Sequence, residues 1–311
     1  MTTFLFFLTI CLSPVLNPID SIKSRADVEV LLAGLQEEEE LVLATEEEVL
    51  RLAPCGEKYL NDLAVRPWQM ADLNHDGLND LLVHLKEGEK VFPAVIESKA
   101  KGSLSIERLS LTNTDPCLRG AVSQLADTSY FLLARFGTIY GLDTVGGKYE
   151  TFERTVAQLD TLISTSFGFA EAHSIVESAA LRAITFEHLG CPEICPQYTM
   201  RLDSKGALLL HRQMGFSHRK QNRWEQTTVP QREVDALLSF AAGLNPKAYD
   251  EAYYAAGHQS HVRISFTYSD FTVKVIYDSG LSASLGMQKL YDQFIDWHAN
   301  ADWEKYPIQK H

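Results

Sequence analysis

Apolar residues recur at helical spacing at only a few places along this chain. In RADVEVLLAGL, Val28, Leu31, Leu32 and Leu35 lie three and four apart, which predicts a helix followed by the acids of QEEEE (36–40). CGEKYLNDLAV puts Tyr59, Leu60 and Leu63 on one face and predicts a second, short helix. Beyond it the pattern changes to short apolar runs separated by Asp, Asn, Gly and Lys. DLLVHL (80–85), VFPAVIES (91–98), SLSIERLSL (103–111), SYFLLAR (129–135) and TVAQLDTLIS (155–164) predict strands, with GLDTVGGKYE (141–150) as a glycine-rich connection.

The second half opens with alternation in RAITFEH (182–188), where Ile184 and Phe186 point inward. QYTMRLD (197–203) and ALLLHR (207–212) flank Ser204-Lys205-Gly206 as a hairpin. Pro230 suits the first turn of a helix carrying Val234, Leu237, Leu238 and Ala241, which Gly243 and Asn245-Pro246 stop. HVRISFTY and FTVKVIYD then pair across Ser269-Asp270. A last helix uses Met287, Leu290, Tyr291 and Phe294 as its core stripe, with Trp297 beside them. The order βββ-α-ββ-α predicts an α+β fold. It has a β-rich N-terminal module (21–165) and a C-terminal antiparallel-sheet domain with two helices (166–311).

A length of 311 residues agrees with two domains, and 45 % apolar content excludes general disorder. The formal charge of −13 argues against nucleic acid and against an anionic membrane surface, since both need clustered Lys and Arg. At the N-terminus, Phe4 to Leu12 is nearly all apolar and ends at Ser13-Pro14. That run is too short for a span of about 20 residues and suits the apolar region of a secretory signal. No Lys or Arg precedes it and no A-x-A site follows; residues 1–20 are nonetheless expected to be removed on export, to the outside or the periplasm and envelope. The mature chain is then expected to lack a membrane span.

The chemistry concentrates in ADLNHDGLNDLLV. A calcium loop of EF-hand type presents oxygens at positions 1, 3 and 5, glycine at 6 and a carbonyl at 7, which are Asp72, Asn74, Asp76, Gly77 and Leu78. Position 12 is Val83 rather than Glu, and a strand follows, so a helix-flanked EF-hand is excluded. Asp80 at position 9 closes the set instead, giving a hard shell of about six or seven oxygens that favours Ca²⁺. D-x-N-x-D-G-x-x-D followed by an apolar strand resembles the calcium loop of FG-GAP and VCBS repeats. The resemblance covers residues 69–84 and one copy. It implies a bound calcium and an exported protein.

With Cys11 removed in the signal, Cys55, Cys117, Cys191 and Cys195 remain, an even number that suits an oxidising compartment. The simplest pairing is Cys55–Cys117 and Cys191–Cys195, one of three connectivities. For Cys191 and Cys195, a local disulfide stands beside free structural thiols and redox or metal chemistry. Their spacing is wider than C-x-x-C. The stretch C-x3-C-P-x-Y, with the hairpin, helix and terminal LYDQFIDW after it, resembles an uncharacterised family of bacterial domains of unknown function. Cys191, Cys195, Pro196, Tyr198, Gly206, Leu290, Asp296 and Trp303 carry that resemblance over about residues 182–304. GHQSHVRI departs from it, where a Thr-Asp pair is expected. Some exported members carry an FG-GAP-like segment upstream, so the two resemblances agree.

No H-E-x-x-H, G-x-S-x-G, P-loop or G-x-G-x-x-G motif occurs. His258 and His261 begin a strand, where residues three apart face opposite sides. The expectation is a non-catalytic, calcium-stabilised binding or structural protein with an unknown protein or glycan partner. The alternative is an exported enzyme of thiol or hydrolase chemistry, built on Cys191 and Cys195 or on His258 and His261.

Overall fold

The structure is a computed structural model that describes residues 17–35, 41–51, 63–99, 102–109, 117–125, 128–145, 148–173, 179–190, 195–214, 220–254, 260–281 and 283–306. At 117, 125, 136–145, 148–158, 214, 220, 221 and 254 the description is of the backbone alone. The expected signal up to residue 16, the helix around Tyr59, and Cys55, Cys191 and His258 lie outside the described residues.

Among the described residues, three sheets and four α-helices make a mixed fold that is mostly β. In the first sheet, β3 (Asp80–Glu87) is central and antiparallel to β1 (Val42–Leu43), β2 (Trp68–Ala71) and β4 (Lys90–Ser98), and β4 carries β5 (Leu104–Arg108). β3 is buried on both faces. Leu81, Val83 and Leu85 pack with Val28 and Leu32 of α1 (Arg25–Leu35) and with Ile19 and Ile22. Leu82 turns the other way, onto Leu118, Phe131 and Phe169 of the second sheet. A strand covered on both sides reads as the continuous apolar run DLLVHL rather than as an alternation. The short helix α2 (Glu46–Leu50) is closed by a capping box between Thr45 and Glu48.

The second sheet is a meander, β6 (Cys117–Leu125), β7 (Thr128–Val145), β8 (Lys148–Thr165) and β9 (Gly168–Glu171). β7 and β8 are 18 residues each and stay paired from Phe131↔Leu162 to Val145↔Lys148. The expected glycine-rich connection 141–150 is therefore mostly strand. Gly137, Gly141 and polar neighbours erase the apolar pattern there, while antiparallel pairing still satisfies the backbone. β9 pairs with β8, so the boundary expected at 165/166 falls inside a hairpin.

The third sheet has eight strands in the order β14 (Ala252–Tyr254), β16 (Val273–Ser279), β15 (His261–Tyr268), β10 (Leu181–Gly190), β11 (Gln197–Asp203), β12 (Ala207–Met214), β13 (Lys220–Thr228) and β17 (Glu304–Lys305). Neighbours are antiparallel except β14 and β16, which are parallel, so the expected antiparallel sheet is mixed at one edge. The helices α3 (Gln231–Gly243) and α4 (Leu285–Asn300) bury Val234, Leu237, Met287, Leu290, Tyr291 and Phe294 on one face of it, and Trp297 is buried with them. Among the described residues, no helix is long and apolar enough to cross a membrane.

Candidate functional site

The acidic stretch forms the turn that joins β2 to β3, and its side chains fold back onto their own backbone. Asp72 accepts the amides of Asp76 (3.1 Å) and Gly77 (3.0 Å); Asn74 also accepts from Asp76 (3.0 Å), and Asp76 from Leu78 (2.9 Å). The chain turns through left-handed backbone at His75 (φ 60°) and Gly77 (φ 86°); glycine adopts that region without a steric cost. His75 is exposed and bonds none of these oxygens.

Asp80 behaves differently from Asp72, Asn74 and Asp76. It is 0 % exposed, and its two oxygens accept the amides of Leu73 and Ser98, each at 3.0 Å. Burial pushes its carboxyl up to about 6; Asp76 and Glu97 add to the rise, and the two amides oppose it. Ser98 Oγ lies 2.7 Å from both Asn17 Oδ1 and the Asn79 carbonyl, and Asn79 Nδ2 donates to Asp20. The loop exit is thus tied to residues 17–20, where Ile19 is fully buried. The signal boundary expected at residue 20 falls inside this packed turn, and an exported chain that keeps the turn is cut before Asn17. Asp72, Asn74, Asp76, the Leu78 carbonyl and Asp80 have the donor chemistry for a hard cation. Among the described residues, however, no three His, Cys, Asp or Glu side chains stand together as a preformed metal centre.

Around the second cysteine–proline pair the side chains form a stack. Cys195 is disulfide-bonded, and the side chains of the other cysteines lie outside the described residues. The Pro196 carbonyl accepts from His188 Nδ1 (2.7 Å). The His188 ring lies parallel to Tyr198 at 5.2 Å, and Tyr198 parallel to His298 of α4 at 3.9 Å. Arg212 donates to His298 Nε2 and to Glu225, each at 2.6 Å. Burial, then Arg212 and His188, push His298 down to about 4, and burial also lowers His188. Both imidazoles are accordingly neutral packing rings near neutral pH. His261 begins β15 as expected, and its Nδ1 lies 3.2 Å from the Tyr277 hydroxyl.

A third polar cluster joins the N-terminal sheets to α4. The Glu171 carboxylate accepts the amides of Leu285 (2.7 Å) and Gly286 (2.9 Å), while Ser284 Oγ accepts that of Met287 (3.1 Å). The Tyr249 hydroxyl lies between Ser284 Oγ (2.9 Å) and His173 Nε2 (3.1 Å). Arg135 pairs with Asp160 and reaches the Ala283 carbonyl, and Lys289 pairs with Glu107. A neighbouring cavity of about 230 Å³ is lined by Ile163, Ala170, Phe240, Leu244 and the helix-capping Glu171. Neither Cys195 nor His261 lines it.

The C-terminal half also has a counterpart among known families. Residues 182–298 match the model of the family described as Domain of unknown function (DUF6438). No curated protein and no solved structure matches the chain. Several of the positions that carried the sequence resemblance, within the DUF6438 segment or, for Trp303, just beyond it, have structural explanations. Tyr198 is the middle ring of the stack, and Leu290 is core. Gly206 has φ +85°, and a Cβ there would sit 2.5 Å from the Val229 carbonyl oxygen. Asp296 is exposed and accepts from Asn300 at 2.7 Å, whereas Trp303 donates to the His298 carbonyl at 3.4 Å.

Sequence reasoning missed Glu171, Tyr249, Ser284, Arg212 and His298. Each acts on a residue far away in sequence: Glu171 and Leu285, for example, are 114 positions apart. The available local signal was Ser284, which sits where an N-cap precedes the Met287 stripe.

Proposed function

We propose that this is an exported, non-catalytic binding or structural protein whose N-terminal sheets are stabilised by calcium at the 72–80 loop. The observation that carries the reading is the loop itself. Asp72, Asn74 and Asp76 wrap one tight turn, left-handed at Gly77, and Asp80 locks its exit to Leu73 and Ser98. Asp72, Asn74, Asp76, Asp80 and the Leu78 carbonyl would hold the ion. It would neutralise carboxylates that otherwise repel one another, and hold β2, β3 and the 17–20 turn together. The likeness of residues 69–84 to FG-GAP and VCBS loops supports this, as does the charge pattern. A local disulfide between Cys191 and Cys195 belongs to the same proposal and suits an oxidising compartment.

Calorimetric titration with CaCl₂ tests the cation. The expected result is one saturable site and a melting temperature that rises with calcium and falls back with EGTA. Asp76→Ala removes both the heat and the calcium-dependent rise while leaving the calcium-free protein folded. No heat in the unmutated protein would end the calcium reading. Mass mapping without reductant that found Cys191 and Cys195 as free thiols would end the disulfide reading.

A further inference from the structure

The edge of the third sheet at β16 is only partly covered. β14 pairs with β16 at Tyr277, Asp278 and Ser279 alone, and among the described residues no strand lies beside Val273 to Ile276 on that side. Tyr277 donates its amide outward to Glu251. Amides two residues apart point the same way, so Val275 and Val273 also present N–H and C=O to this edge. Their side chains sit on the face opposite the helices and are 41 % and 55 % exposed. An uncovered edge with apolar flanking side chains is a template for another strand.

The hairpin tip extends this surface. Phe271 is 74 % exposed and holds φ +65°, a region that costs a bulky residue strain and that glycine takes freely. The turn keeps it there: Phe271 N–H donates to the Tyr268 carbonyl (3.0 Å), and Asp270 accepts from the Thr272 amide and hydroxyl. Beyond one exposed cation–π contact with Arg182, folding gains little from phenylalanine over glycine at this position. Cations gather at the same end. The Arg182 guanidinium lies 5.2 Å from the Phe271 ring and the Lys247 ammonium 4.4 Å from that of Tyr268, with Lys274 beside Val273. Asp270 is turned into its own turn, and the exposed Asp250 and Glu251 stand at the far end, where β14 begins. In a chain of net charge −13, this tip is locally basic.

We infer that the open stretch of β16 from Thr272 to Ile276 receives an extended segment of another protein as an added strand. That segment alternates apolar side chains over Val273 and Val275 and places acidic residues against Arg182, Lys247 and Lys274. Backbone pairing supplies affinity and the alternate side chains supply selectivity. A second copy of β16 fits less well. Pairing the two edges through their valines would bring one copy's hairpin turn towards the space that β14 occupies in the other. A lipid surface leaves the edge amides unsatisfied. The inference adds a partner class to the binding role proposed above and does not depend on calcium.

Two fluorescein-labelled peptides of about seven residues, alternating valine and threonine, span this slot. One carries two glutamates at its N-terminus, the other at its C-terminus. One of them is expected to bind saturably, with binding reduced about tenfold or more by lysine in place of glutamate or by N-methylation of alternate amides. Phe271→Gly should weaken binding about tenfold while leaving the melting temperature unchanged or higher, because it relieves the left-handed strain. Val275→Pro, which removes one outward amide, should also weaken binding. Its melting temperature, read alongside, separates loss of the edge from loss of the fold. The inference is overturned if neither peptide saturates by about 1 mM, or if Phe271→Gly binds as the parent does. It is overturned equally by dimerisation that Val275→Pro abolishes, or by binding to phosphatidylserine vesicles without peptide binding. A calcium titration on the same samples keeps this outcome distinct from that of the cation reading.

Discussion

His84 shows how one side chain couples two sheets. It sits on β3, is 0 % exposed, donates from Nδ1 to the Arg66 carbonyl (2.8 Å) and accepts the Gly120 amide of β6 at Nε2 (3.1 Å). Protonation would aim a second N–H at an amide donor inside the core. Burial, then Arg119, hold the imidazole down to about 3. Because this folded value lies below the unfolded one of about 6.5, the unfolded chain takes up the proton first. The stabilisation from His84 is therefore complete above that value and is lost as pH falls from it towards 3. His298, down to about 4, has the same sign, whereas Asp80, up to about 6, has the opposite one. In urea titrations, the stability difference between the parent and His84→Gln should shrink with falling pH, by up to about 1.4 kcal/mol per unit. A pH-independent difference would mean that His84 matters only as packing. Gly206 offers a cleaner test of geometry. Gly206→Ala meets the Val229 carbonyl and a left-handed φ, and should cost roughly 1–3 kcal/mol without altering calcium or peptide binding.

At the scale of elements, legibility followed the physical cause of each strand and helix. α1, α3 and α4 were readable because each buries one stripe at helical spacing. β3, β4, β10 and β15 were readable because their inward residues are large and branched. β13 (KQNRWEQTT) was not: the register to β12 holds it and its composition does not. β6 was also missed, since CLRGAVSQL hides its constraint in Gly120, where a Cβ would stand 2.9 Å from Phe131 and 3.0 Å from Leu82. The tight 72–80 turn was legible as a pattern of side-chain oxygens around one glycine. The burial of Asp80 was not, because it depends on Ser98 arriving from β4. α4 carries the strongest dependence on a distant residue. Its first amides are closed by Glu171 from β9 and by Ser284, so Glu171→Ala would leave two buried N–H groups unpaired. A loss of about 2–4 kcal/mol is expected in chemical denaturation. Glu171→Gln, which keeps an acceptor, should recover part of it. Equal losses for both would show that the charge, and not the acceptor, is what the helix needs.

For the whole molecule, the DUF6438 segment begins at residue 182, but the contacts that close α4 come from before it. Glu171 holds its N-terminus, Arg135 reaches the Ala283 carbonyl, Glu107 pairs with Lys289, and Leu285 lies in the core between the first two sheets. The Glu171 and Arg135 contacts are buried, and a buried polar group that loses its partner costs more than the pair gains. Unfolding the N-terminal sheets while the third sheet stays folded would orphan the α4 amides and the Ala283 carbonyl together. The two halves should therefore unfold in one cooperative transition despite their separate cores. Calorimetry is expected to give a single peak whose van't Hoff and calorimetric enthalpies agree. Calcium should move that whole peak upward, although the 72–80 loop lies on the first sheet. A chain cut to residues 182–298 should melt well below the parent, and adding Glu171→Ala to the full chain should split or broaden the peak. Two resolved transitions in the unmutated protein, only the first responding to calcium, would show that the Glu171 cap is a local contact. The cation's influence would then stop at the N-terminal sheets.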